Sequence, residues 1–292
     1  MRTVLPDISI RQLEYLVVVS ESPTWAAAAD RVGVSASALS QGLAELERRI
    51  GVPLFDRVGR RRVLRSTAAE VLDHARQVVA LTGDLARWAE RRQSGAEGGV
   101  RLGMIDVAAV NHYPTVLHRF REGHPDLELR LRVAPSGSLL DDLVAGDLDV
   151  VVCVAPAEPV RGVTTEPLLN EELAVYRPDG HRAGPAEDWG PWVLFPAGSH
   201  TRGVIEAALR AEGAEVEVVA DSHQPEVLRE MVGLGLGWTV LPVVQAETGD
   251  RPLQRARLLT HRQLVIARRE GAAIDPAAVA LANALTTAEV VG

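Results

Sequence analysis

Residues 22–65, SPTWAAAADRVGVSASALSQGLAELERRIGVPLFDRVGRRRVLR, constrain this chain more than any other stretch. Pro23 and Thr24 open a short alanine-rich helix over 25–32, and Gly33 supplies the left-handed residue that ends it. Ser35 is a good N-cap for a longer helix, in which Ala36, Leu39, Leu43, Leu46 and Ile50 recur at spacings of three and four and form a buried stripe. A basic hairpin follows over 54–65, turning at Val58-Gly59-Arg60. Helix, tight turn, helix and basic hairpin in that order describe a winged helix-turn-helix, and the first hypothesis is DNA binding.

The face of the second helix opposite the stripe carries Ser35, Ser37, Ala38, Ser40, Gln41, Glu45 and Arg48. Short hydroxyls and an amide near the N-terminal end are what a major-groove helix offers to base edges and phosphates. Any amphipathic helix has a polar face; the preceding turn and the following hairpin favour the DNA reading here. In the hairpin, Arg57, Arg60, Arg61, Arg62 and Arg65 are opposed only by Asp56, which suits a wing gripping phosphate. Charge agrees. The formal net charge is −8, but residues 1–92 hold 14 Arg against 11 Asp and Glu, and residues 93–292 hold 17 against 28. A basic head thus precedes an acidic body, and only the head should touch DNA.

Before the head motif, residues 8–20 have helical apolar spacing. After it, Ser66 or Thr67 caps a helix running to Arg92, with a stripe through Ala68, Val71, Leu72, Ala75, Val78, Val79, Thr82, Leu85, Ala86 and Ala89. At 1.5 Å per residue it spans about 40 Å, and so long an amphipathic helix calls for a partner, most simply its own copy in a second subunit. Two heads would then face two half-sites of a palindrome. Residues 93–98 form a flexible hinge. From Gly99 strands and helices alternate. Strands are expected over 100–105, 127–133, 150–154, 164–169, 173–176, 192–195, 216–220, 239–241 and 264–267, with helices from Pro114 to Gly123 and over 139–145, 203–212, 225–234 and 276–290. The expected fold is α/β behind an all-α-type head.

Other classes fit poorly. The single cysteine, Cys153, lies in an apolar run, allows no internal disulfide and reads as a buried thiol in a cytoplasmic protein. The longest uncharged stretch, residues 231–246, is broken by three glycines and too short for a membrane span. Ser199, His200 and Asp221 do not make a hydrolase triad: adjacent Ser and His lack the geometry and no nucleophile elbow is present. Gly233, Gly235 and Gly237 follow a helix and precede a strand, the reverse of a dinucleotide fingerprint. His112, His118 and His124 are six apart and share no helix face, so no metal site is expected. No catalytic residue and no cofactor is assigned.

The chain resembles the LysR-type transcriptional regulators over nearly its whole length. The head carries Arg11-Gln12-Leu13-Glu14-Tyr15-Leu16, Val34-Ser35, Ala38-Leu39-Ser40-Gln41 and Ile50-Gly51-Val52-Pro53-Leu54-Phe55-Asp56-Arg57. The body carries Arg101-Leu102-Gly103, His124-Pro125-Asp126, Gly146-Asp147-Leu148-Asp149 and Gly235-Leu236-Gly237 before Leu241-Pro242. The resemblance implies a cytoplasmic regulator that binds an interrupted palindrome in double-stranded DNA as a dimer or tetramer, with RNA polymerase as a further partner. It implies a winged helix-turn-helix over 1–65, a linker helix over 66–92, and a two-lobed effector domain like periplasmic binding proteins over 99–292 (lobe I 99–155 and 260–292, lobe II 156–259). The competing reading is a solute-binding module whose head only dimerises.

The DNA contacts so implied are Ser35, Ser37, Ala38, Ser40, Gln41, Arg57, Arg60, Arg61 and Arg62. Where the family often has Gln-Pro this chain has Ala36-Ser37, which moves base reading to Ser37 and Gln41. The usual glycine after the wing is Ala69. Gly42, inside the recognition helix, either permits close approach to DNA or is drift. For the small-molecule effector, the resemblance places Asp106, Val107, Pro135, Ser136, Val154, Ser199, His200, Thr201, Arg202 and His223 in the cleft. Two readings remain open at two of these. Asp106 is a helix N-cap or a cleft carboxylate, and Arg202 is a cleft cation or a structural ion-pair partner.

Overall fold

The computed structural model describes residues 7–58, 61–94, 99–272 and 275–288. They form two compact units, a head with its long helix up to Ser94 and a body after it.

The head begins with α1, Ile10–Glu21, which opens on a reciprocal capping box between Ser9 and Gln12. Thr24 caps α2, Trp25–Arg31, and Gly33 at φ +70° makes the tight turn. Ser35 accepts from the Ala38 N–H to cap α3, Ala36–Ile50. Leu39, Leu43 and Leu46 are fully buried against Leu13, Leu16 and Ala28. The expected stripe is narrower than its sequence: Ala36 is exposed, since the first turn projects beyond the core, and Ile50 is only partly buried. Two strands, β1 (Phe55–Val58) and β2 (Arg61–Leu64), pair antiparallel as the wing. The Glu47 carboxylate holds the wing's base to α3, accepting from the N–H groups of Leu54 (2.7 Å) and Phe55 (3.1 Å).

A 3-10 turn, Ser66–Ala68, leads into α4, Ala69–Ser94. Arg65 precedes the 3-10 turn without a side-chain cap, and Ser66 and Thr67 lie inside that turn rather than at the expected cap. At 26 residues α4 spans about 39 Å. The stripe divides along its length: Ala68, Leu72 and Ala75 join the head's own core, whereas Leu85 and, off the stripe, Trp88 are exposed. The N-terminal part of the predicted partner-seeking stripe is therefore satisfied inside one chain. Gln93 and Ser94 stay helical, and the rest of the expected hinge, 95–98, lies outside the described residues.

In the body, β3 (Gly99–Met104) pairs parallel with β4 (Glu128–Val133) and with β5 (Val150–Val154). Helices α5 (Pro114–Gly123) and α6 (Ser136–Ala145) make the crossovers. Two long strands follow, β6 (Val163–Arg177) and β10 (Gln254–Arg269), antiparallel over almost their whole length. The six-stranded sheet has the order β4-β3-β5-β10-β6-β9, with β9 at Thr239–Pro242. A smaller parallel pair, β7 (Trp192–Leu194) and β8 (Val218–Asp221), joins it through a bridge between Trp192 and Trp238. Around it lie α7 (His200–Ala211), α8 (Pro225–Gly233) and α9 (Val243–Ala246), and α10 (Pro276–Thr286) closes the fold. Trp189, Trp192 and Trp238 anchor the core at this end of the sheet.

The strands expected at 164–169 and 173–176 are one strand, and the one expected at 264–267 is four times longer than foreseen. The polar run Asn170-Glu171-Glu172 reads as a break, but Glu171 is buried in mid-strand against Arg262 of β10. Helices α6 and α7 start three residues earlier than their apolar periodicity, because capping and first-turn positions are polar.

Candidate DNA interface and effector cleft

The N-terminal end of α3 is open to solvent: Ser35, Ser37, Ala38 and Gln41 are exposed and Ser40 half-buried. Ser35 Oγ already accepts the capping N–H from Ala38 and lies 3.0 Å from Ser37 Oγ. Ser37 and Gln41 are left as the side chains with free reach. Gly42 has a packing reason. A Cβ there would stand 2.8 Å from two ring carbons of Tyr15, so the glycine admits α1 rather than DNA.

In the wing, Arg57 and Arg62 are exposed. Arg62 also lies over the Trp25 ring (5.1 Å from the centroid), and Trp25 meets Phe55 edge-on at 5.1 Å. This stack ties β2 to α2 and is worth about 0.5–1 kcal/mol at an exposed site. Arg65 pairs with Asp56 at 3.0 Å, so it adds little net charge. Arg60 and the side chain of Arg61 lie outside the described residues. On α3, Glu45 is held between Arg48 and Arg49; their hydrogen bonds lower its carboxyl to about 2.

The body holds a cleft of about 710 Å³ beside the C-terminal ends of β3, β4 and β5 and the N-terminal end of α7, within the size range of small-molecule sites. Asp106, Pro135, Ser136, Val154, Ser199, His200, Thr201 and His223 line it. Two expected residues do not. Val107 is fully buried, because the chain turns helical at Asp106 and carries the next side chain into the core. Arg202 is buried against its own helix, pairing with Glu206 at 2.5 Å and donating to the Phe195 carbonyl at 2.7 Å; it is a structural ion pair. Asp106 is not an N-cap either. Its carboxylate accepts from Gln245 Nε2 at 2.8 Å, across the cleft.

Deeper in lies a buried charged network. Glu171 receives Arg262 Nε on one oxygen and meets His112 Nε2 on the other, both at 2.6 Å. Arg262 also donates to Thr201 Oγ1 at 2.6 Å. Burial alone would raise the Glu171 carboxyl, but the Arg262 charge and the His112 hydrogen bond hold it below the usual range. A π-helical turn, Ala108–His112, sets the histidine there.

Residues 93–289 match the LysR substrate binding domain, and residues 10–70 match the bacterial regulatory helix-turn-helix protein of the lysR family. The chain belongs to the LysR family. It is a transcriptional regulator with a helix-turn-helix DNA-binding domain and an effector-binding domain. A probable hydrogen peroxide-inducible genes activator of Streptomyces viridosporus is 31% identical over 283 residues, covering 91% of this chain and 89% of that protein. The uncharacterized HTH-type transcriptional regulator YfeR of Shigella flexneri is 27% identical over 288 residues, covering 94% and 92%. Among solved structures, a full-length OxyR variant from Pseudomonas aeruginosa superposes with a TM-score of 0.65 at 22% identity, covering 97% of this chain and 96% of that one. Full-length CbnR in complex with its target DNA gives 0.59 at 19% identity, covering 95% and 99%. At these identities the structures speak for the fold.

In this LysR-family chain the polar and charged cleft residues that sequence reasoning missed include Gln245, Glu226 and Arg262, with Glu171 and His112 behind Arg262. Gln245 sits in a four-residue helix with no motif around it. Arg262 and Glu171 each sit in a polar run within a strand-like stretch, and that juxtaposition of charge inside long apolar strands was the available signal.

Proposed function

We propose that this regulator reads DNA with Ser37 and Gln41 of α3, grips phosphate with Arg57, Arg60, Arg61 and Arg62, and answers to a small molecule held in the cleft lined by Asp106, Thr201 and Gln245. The observation that carries the reading is the exposed polar end of α3 beside a basic wing, on a chain whose acidic body encloses a polar-floored cleft. We place the division into head, linker helix and two-lobed body near the bounds expected from sequence, and the working form as a dimer or tetramer on an interrupted palindrome in the cytoplasm. Among the described residues no helix is long and apolar enough to cross a membrane.

We assign no catalysis. Ser199, the cleft serine beside a histidine, is occupied capping Arg202 N–H at 3.1 Å, and His200 Nδ1 faces the Val154 carbonyl. Nor does peroxide sensing transfer from the Streptomyces relative. Cys153 is the chain's one cysteine, fully buried in β5, and burial pushes its thiol up to about 12; oxidation needs an accessible thiolate.

Footprinting the full chain on its own upstream DNA, with and without candidate metabolites, tests the reading. A protected interrupted palindrome whose pattern changes with a metabolite is expected, and Gln41→Ala should alter base preference while Arg61→Ala lowers the salt slope by about 1. No protection at low salt would refute it.

A further inference from the structure

We propose that the Asp106–Gln245 corner is a subsite for a protonated amine, so that the effector of this regulator is an ammonium-bearing small molecule. This rests on the reading of the cleft as the effector site. The Gln245 side-chain amide lies 2.8 Å from Asp106 Oδ2, and a carboxylate can only accept, so the nitrogen must face it. That orientation leaves Gln245 Oε1 on the other side of the same amide. This oxygen is buried, on a residue only 7% exposed, and has no hydrogen-bond partner. Buried acceptors left unmatched are costly and uncommon in a folded protein. Asp106 and Gln245 both line the cleft, so this corner sets a charged acceptor beside an amide whose own oxygen is unmatched, and calls for a donor with several protons.

The surrounding charge selects the kind of donor. Asp106 and Glu226 are the lining carboxylates among the described residues, and the lining guanidinium, Arg262, is already paired with Glu171. His200 and His223 also line the cleft, but neither bonds Asp106 or Gln245. An ammonium brings three N–H groups and a positive charge, and so matches the orphaned oxygen and the carboxylate at once. Another lining residue has the reverse character. Thr201 Oγ1 receives its hydrogen bond from Arg262, leaving its own proton to give. A ligand with an ammonium at one end and an acceptor at the other meets complementary groups at both ends.

Four probes sharing a five-carbon skeleton separate the alternatives: 5-aminovalerate, pentylamine, 5-hydroxyvalerate and glutarate. Their affinities for the full chain are measured by calorimetry and thermal melting, alongside Asp106→Asn, Gln245→Met and Gly137→Trp. The last fills the cleft from α6, where a Cβ would meet nothing within 4 Å. The two amines should bind at least about tenfold tighter than 5-hydroxyvalerate. That preference should vanish in both Asp106→Asn and Gln245→Met while their melting stays cooperative. Absence of binding by either amine, a preference that survives both substitutions, or tighter binding of glutarate overturns the proposal. If hydroxyvalerate or glutarate binds the parent chain at least as tightly as the amines, and does not bind Gly137→Trp, the cleft is an effector site without an amine subsite. If the amines bind Gly137→Trp unchanged, the cleft reading falls with the proposal.

Discussion

Replacing Glu171 by glutamine should cost this regulator about 3–5 kcal/mol of stability in its body, out of proportion to so small a change. The side chains of Glu171 and Arg262 are 3% and 4% exposed and meet at 2.6 Å. Their charge centres are roughly 4 Å apart, and at an effective dielectric of about 20 the attraction is about 4 kcal/mol. Glutamine keeps the shape and removes the charge. The guanidinium then stays buried without a counter-charge, and the amide NH2 must be turned to His112, which can accept it only by changing tautomer. Urea unfolding followed by tryptophan emission is a suitable assay, because Trp189, Trp192 and Trp238 lie in the body's core. Replacing Glu171 and Arg262 together by methionine should recover most of the loss, since a packed apolar pair avoids the desolvation that the charges incur. A single-substitution loss under about 1 kcal/mol, or a double variant no better than the single, would refute the reasoning. Acid gives an independent reading. The folded Glu171 carboxyl is depressed, so its stabilisation is complete above the ordinary carboxylate value of about 4.3 and is lost as pH falls from there through the folded value. The parent chain should weaken on acidification more steeply than Glu171→Gln does.

Three other outcomes are expected. Gly42→Ala should lower the head's melting temperature: overpacking against Tyr15 costs about 1–3 kcal/mol and helix propensity returns about 1. A rise in melting temperature would count against the packing argument, and Tyr15→Leu added to it should relieve the clash. Trp25→Leu removes the stack beneath Arg62 and should weaken binding to all DNA sequences alike by roughly twofold to fivefold, measured by fluorescence anisotropy. Cys153 should resist iodoacetamide at neutral pH in the native chain and label fully in urea; rapid native labelling, seen by mass spectrometry, would contradict its burial.

Much of the head was legible because its signals are local. Ser35 caps the helix that begins at Ala36, Gly33 makes the turn, and Leu39, Leu43 and Leu46 face inward at helical spacing. Each relation spans a few residues, where chain geometry alone relates spacing to direction. The body was legible as alternating strands and helices, but not in its long strands. A glutamate in the middle of β6 looks like a break until a strand 91 residues away supplies its arginine. In the cleft, charge was equally illegible: nothing near Asp106 or Arg202 in the sequence says which lines the cavity and which is buried on its own helix.

The stretch 22–65 by itself determined a capped helix-turn-helix with a basic wing, and the charge asymmetry determined which end meets DNA. Tertiary structure alone decided that Gly42 is a seat for Tyr15, that Arg202 is spent on Glu206, and that Gln245 reaches Asp106 from 139 residues away. The reason is physical. Helix, turn and cap follow from torsions and hydrogen bonds among neighbours, whereas the availability of a polar group depends on what the folded chain packs against it.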